Sequence, residues 1–282
     1  EIILSDNVTK IDSFAFSGCK KLTSFTVPAN LREIGICAFF QCYRLVEVIN
    51  KNANLTVVAG DSSNGYLGKY ALVVHKNDTS RIKRILDYKF IGVNGKNYLV
   101  DYVGDNVDIS LPVNTSYATG GSQEEFLTHS GDSDCDFDAP TKDPDVNEDD
   151  PTLDSNYLPI YESNGVFLGV GFDYEIHKYA FYSCNIKSVT ISDGVTAIGD
   201  NAFENCTSLS KLVVKHDNPA GFVSGSYLES IGASAFANTK LQQIDFNGSV
   251  NYWNNTVTKG AGWIDSTATV TVHCTDGDVV EN

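Results

Sequence analysis

The chain has 282 residues, 42% of them hydrophobic, and a formal net charge of −16; this suffices for a large core and argues against nucleic acid, which needs clustered Lys and Arg. No run of 18 apolar residues occurs, so no segment reads as a membrane-spanning helix. The sequence opens at Glu1 and contains no Met, so it reads as a mature segment whose signal peptide has been removed.

Residues 1–50 carry one phrase twice, IDSFAFSGC from Ile11 and IGICAFFQC from Ile34. It returns as IHKYAFYSC from Ile176, IGDNAFENC from Ile198 and IGASAFANT from Ile231. After each copy comes an apolar triplet at relative positions one, four and six: Leu22, Phe25, Val27; Leu45, Val48, Asn50; Ile186, Val189, Ile191; Leu209, Leu212, Val214; Leu241, Ile244, Phe246. Positions two apart share a face of an extended segment, so each copy predicts one short strand and a compact return segment. The step is 23 residues from Phe16 to Phe39 and 22 from Phe181 to Phe203, too short to bury its own apolar face. The copies must therefore stack as coils about 4.8 Å apart, strand beside parallel strand. A phenylalanine column (Phe16, Phe39, Phe181, Phe203, Phe236) then fills the interior, and a column of reduced thiols (Cys19, Cys42, Cys184, Cys206, closed by Thr239) sits beside it.

Residues 51–80 read as a degenerate coil, with Ala71 in the alanine place of the phrase. Asn94-Gly95 between apolar runs predicts a β-hairpin over 84–103, and Val107, Ile109 and Leu111 resume the strand pattern. Residues 113–156 break the repeat as a polar insertion. Twelve acidic residues and one Lys fall between Glu124 and Asp154, so −11 of the charge lies there. Residues 157–246 return to three repeats with a second insertion, HDNPAGFVSGSY. The expected division is a repeat array over 1–246 and a C-terminal cap over 247–282, the cap carrying Trp253, Trp263 and a strand at Val270 and Val272.

Chemistry is sparse. Asp200, Glu204 and Asn205 look like a site but do not persist among the copies, which marks a solvated surface. His75, His129, His177, His216 and His273 are scattered, with His177 expected at an exposed variable position. No nucleophile elbow, phosphate loop or zinc spacing occurs, so no catalytic residue and no cofactor is assigned. Asp132, Asp134 and Asp136, then Asp143 and Asp145, alternate as in the opening of a calcium loop. The loop lacks the turn glycine and terminal Glu, so a solvated charge run is the first reading and calcium at these aspartates the only metal alternative.

The motif I-G-x-x-A-F-x-x-C-x-x-L, followed by strand apolars and often Pro, resembles the BspA-like leucine-rich repeat proteins of bacteria and some protozoa. The tail, with two tryptophans and TVHCTDG, is similar to the endings of some gut-bacterial members. Asn50, Thr239 and the 113–156 insertion depart from the pattern. The resemblance implies a leucine-rich repeat solenoid, mostly β: right-handed stacked coils of strand and short helix or turn with a parallel sheet, one inserted β-hairpin and an acidic loop. It also implies a secreted or cell-surface, non-enzymatic interaction module that attaches to host, matrix or other cells. Residues between the buried strand positions would line the concave binding face: Ser24, Thr26, Glu47, Ile49, Ser188, Thr190, Lys211, Val213, Gln243 and Asp245. A flat face of this kind suits a protein or glycan partner. The alternative is a structural spacer within a larger surface protein. A carbohydrate-active enzyme is a distant third, since it needs two carboxylates about 5–10 Å apart in a cleft.

Overall fold

Parallel pairing of short strands with alternately buried residues builds most of the structure, a computed structural model that describes residues 2–76, 79–114, 159–161, 167–170, 172–215 and 227–282. In Ser24–Val27, Ser188–Ile191, Lys211–Val214 and Gln243–Phe246 every second residue is buried. Pairing is in register, with Val189 beside Leu212, Leu212 beside Ile244 and Ile244 beside Val272. Equivalent side chains thus stack one above another, as the expected leucine-rich repeat solenoid requires.

The coils form two arrays. The first pairs Ser24–Val27, Glu47–Asn50 and Val73–His75 in one parallel sheet. The second has a six-stranded sheet in the order Gly277–Glu281, Val270–Cys274, Gln243–Phe246, Lys211–Val214, Ser188–Ile191, Asp108–Ser110. The isoleucine opening each phrase builds a further wall, not expected from the sequence. Ile11 pairs with Ile34, and Ile198 with both Ile176 and Ile231. These strands are two to four residues long, too short for alternation to reveal them.

Close approach of consecutive coils explains the glycine of the phrase. A Cβ on Gly35, Gly199, Gly232 or Gly260 would collide with the backbone nitrogen of Ser13, Lys178, Asp200 or Ala233 in the coil before. Asp12 replaces glycine at this place in the repeat of Ile11. His177 holds the same place above the hairpin strand Lys96–Tyr102 and, contrary to expectation, is buried. Burial, with Lys178 adding to it, pushes its pKa down to about 3, so the imidazole is neutral, its ring edge against Tyr98.

Each phrase turns twice through left-handed backbone. The first turn falls at Phe14, Cys37, Tyr179, Asn201 and Ser234 (φ 54–63°), the second at Gly18, Gln41, Ser183, Asn205 and Asn238 (φ 56–75°). What repeats there is a conformation rather than a side chain, and Asn and Gly tolerate it best. Asn201 and Asn205 are accordingly turn formers. Ser234→Asn is expected to stabilise the protein by about 0.5–1 kcal/mol, read as a higher urea midpoint with an unchanged m-value.

The phenylalanines pack in two stacks rather than one column. Phe16, Phe25 and Phe39 share the core of the first array. In the second, Tyr102, Phe181, Phe203, Phe236 and Trp263 follow one another at centroid distances of 6.0, 4.7, 5.2 and 6.2 Å. All six described cysteines are free. The column thiols are not merely small hydrophobes, because Cys42 Sγ donates to the Phe16 carbonyl (3.1 Å) and Cys206 Sγ to that of Phe181 (3.0 Å). Burial pushes the pKa of both up to about 12, which keeps them protonated donors.

Residues 51–76 complete the first array, but Ala71 does not hold the phrase alanine's place. Its amide bonds Gly68 as that of Leu45 bonds Cys42, and the next residue, Leu72, bonds Val46 as Val46 bonds Thr23. Ala71 therefore fills a leucine slot, and the wholly buried Leu67 supplies the interior apolar group. The expected hairpin forms from Tyr88–Val93 and Lys96–Tyr102 around Asn94-Gly95, and its second strand pairs in parallel with Tyr174–Ile176. The tail does more than cover an end. Thr258–Lys259 pairs beside Ser230–Ile231, and Trp263 accepts from the Phe236 amide as Ala235 does from Phe203. This is one further coil, and Gly277–Glu281 closes the sheet by pairing antiparallel with Val270–Cys274.

The arrays are joined by Arg44, 2% exposed. Its guanidinium pairs with Asp101 (2.6 Å) and donates to the carbonyls of Tyr179 (2.9 Å) and Tyr182 (2.7 Å). The hairpin packs on the first array as well, with Ile91, Val93 and Val100 against Val46.

Candidate interaction face

The six-stranded sheet turns one set of alternate residues inward and presents the other. Register places the presented residues in two rows. One runs Asp108, Ser188, Lys211, Gln243, Thr271; the other runs Ser110, Thr190, Val213, Asp245, His273. None of these side chains is fully buried. Six of the ten residues expected to line the binding face thus lie together here, joined by Asp108, Ser110, Thr271 and His273. Those four were legible as the alternate positions of the apolar runs around Ile109 and Val272, had the same alternation been followed there.

The face is polar and braced by its own side chains. Ser188 Oγ donates to Asp108 (2.6 Å), Gln243 Nε2 donates to Asp245 Oδ1 (2.6 Å), and Lys211 Nζ sits 2.6 Å from Asp245 Oδ2. Partial burial opposes ionisation of Asp245, but the bonds from Lys211 and Gln243 prevail and hold its carboxyl below the usual range. Val213 stands at the centre as the apolar member.

Of the other expected residues, Ser24 and Thr26 are half-buried on the separate sheet of the first array. Glu47 and Ile49 do not present a face at all, being 0% and 4% exposed. The physical reason is a covering segment that the repeat pattern could not show. Glu47 accepts from Ser80 Oγ (2.5 Å) and the Arg81 amide (2.6 Å), and it lies 3.0 Å from His75 Nε2. Burial opposes the Glu47 charge, yet these bonds keep its pKa below the ordinary value. The aspartates considered for calcium, Asp132, Asp134, Asp136, Asp143 and Asp145, lie outside the described residues. Among the described residues no group of three His, Cys, Asp or Glu could hold a metal ion, and no helix is long and apolar enough to cross a membrane.

Comparison with known proteins agrees with the repeat architecture. The family described as "BspA type Leucine rich repeat region" matches in six copies over residues 1–62 and 174–257. No curated protein matches the chain. Two solved structures are similar. A leucine-rich repeat protein from Bacteroides capillosus ATCC 29799 is 18% identical, with 69% of this chain and 99% of that one covered and a TM-score of 0.33. A leucine rich cell surface protein from Faecalibacterium prausnitzii A2-165 is 17% identical, with a TM-score of 0.29; the match covers 91% of this chain and about half, 52%, of that one.

Proposed function

Because this chain belongs to the BspA-type leucine-rich repeat family, we propose that it is an interaction module that binds a protein through the open face of its six-stranded sheet. The observation that carries the reading is the in-register presentation of Ser188, Thr190, Lys211, Val213, Gln243 and Asp245 from neighbouring coils. A braced, pre-ordered surface loses little conformational freedom on association, which favours binding over an equally polar but mobile one. Breadth without a deep cavity suits a macromolecule better than a small ligand. Family membership supports display at a cell surface, with adhesion to matrix or to other cells as the role and glycans on the partner as further contacts.

The test is surface plasmon resonance of the whole chain against a panel of matrix proteins and host-cell glycoproteins. Val213→Asp combined with Lys211→Glu changes presented residues only, so the fold is retained by circular dichroism. Binding to the partner so found is expected to weaken by about tenfold or more, as for truncation of a central contact. Undiminished binding moves the site elsewhere. If the whole panel stays unbound, the chain is better read as a spacer within a longer surface protein.

A further inference from the structure

Where the arrays meet, their return segments bring four half-buried tyrosines together. Tyr43 stacks on Tyr179 at 4.6 Å and has Tyr182 at 5.1 Å and Tyr70 at 5.4 Å. Arg44 fixes this geometry by holding the Tyr179 and Tyr182 carbonyls. The hydroxyls, by contrast, are not used: no described residue bonds any of the four. Burial raises the phenol pKa of Tyr43 and Tyr70 and pushes that of Tyr179 up to about 12, so these groups stay hydrogen-bond donors at neutral pH.

Cations surround the tyrosines. Lys20 Nζ lies 5.0 Å from the centre of the Tyr182 ring and Lys178 Nζ 5.8 Å from that of Tyr70, with Lys69 close to Lys178. No described carboxylate forms an ion pair with Lys20, Lys21, Lys69 or Lys178. Glu204, near Tyr43 and Tyr179, already accepts from the Asn201 (2.8 Å) and Asn205 (3.4 Å) amides. Asp200, near Lys178, and Asp61, near Lys69, likewise accept from the Ala233 amide (2.7 Å) and the Ser63 amide (3.0 Å), so the patch is rich in donors and in lysines that have no ion-pair partner among the described residues. Apolar surface flanks it. Phe40, 38% exposed, meets Tyr66 edge-on at 5.5 Å. On the other side a cleft of about 410 Å³ opens between Lys20, Lys21, Val103, Asp105 and Tyr182, its two lysines outnumbering the one carboxylate.

We propose that this seam is a docking surface for an acidic, partly apolar segment of another polypeptide. Carboxylates of the segment accept from the free phenols and lysine ammonium groups, while its apolar side chains rest on Phe40 and, in the cleft, on Val103. Tyrosine and charge together in a rigid setting are what concentrate binding energy at protein interfaces. An acidic polysaccharide could satisfy the donors but would leave the apolar flanks uncovered, so the peptide is favoured. This surface is separate from the strand face, and either can fail without the other.

Fluorescence anisotropy of a labelled peptide of Glu-Glu-Leu repeats, titrated with the whole chain, tests the proposal. Saturable binding is expected, weakening as salt rises. It should fall about tenfold or more in Lys20→Glu with Lys69→Glu, both exposed positions, and fall measurably in Tyr179→Phe, which keeps the ring. Val213→Asp should leave it unchanged. The proposal is overturned if the acidic peptide does not bind or if the double lysine variant, folded by circular dichroism, binds as well as the parent. It fails equally if a Lys-Lys-Leu peptide binds as tightly, or if only polygalacturonate binds.

Discussion

Replacing Arg44 with alanine should remove about 3–5 kcal/mol of stability, the usual cost of deleting one member of a buried ion pair. Asp101, its partner at 2.6 Å, is itself only 3% exposed in its side chain. Without Arg44 that carboxylate keeps Lys89 at 3.2 Å but loses its closest countercharge. The carbonyls of Tyr179 and Tyr182 lose the donors that tie the second array to the first. Replacing both members of a buried pair with apolar groups is far less damaging than removing one. Arg44→Met with Asp101→Leu should therefore recover much of the loss, which urea unfolding of the single and double variants would measure. A single variant as stable as the parent would show that the arrays are held mainly by the hairpin packing on Val46.

Phe203→Ala should cost a similar amount, about 3–5 kcal/mol. The ring is fully buried between Phe181 at 4.7 Å and Phe236 at 5.2 Å, stacked nearly parallel to both. Its removal leaves a cavity that paired backbones on either side prevent from closing. Phe16 occupies the equivalent place at the end of its stack and is only half-buried, so Phe16→Ala should cost clearly less. Equal losses in thermal or denaturant unfolding would contradict the account of the core given by the stack.

Asn205 and Glu47 show where local sequence stops informing. The asparagine looked like chemistry because its neighbours were polar, yet its role is a φ of 61°, and only comparison among copies removes it from consideration. Glu47 sits where alternation says outward, and alternation is correct about its direction. What alternation cannot supply is the segment that folds over it, because Ser80 and Arg81 are 33 and 34 residues away and follow the last strand of the first array, Val73–His75. The tyrosine seam was invisible for the same reason. Tyr43 and Tyr179 are widely separated in the chain and meet only because two arrays dock, and nothing in either copy of the phrase specifies that docking.

The amino-acid pattern alone settled the coil, its period, the inward-facing residues and the stacking of like on like, since a unit of about 22 residues has no other way to cover its apolar side. Tertiary structure decided that the stack breaks into two arrays, which presented residues stay open, and where aromatic rings and lysines gather. Repetition fixes contacts between neighbouring coils. Contacts between coils distant in sequence depend on the irregular segments that join them, and those carry no period to read.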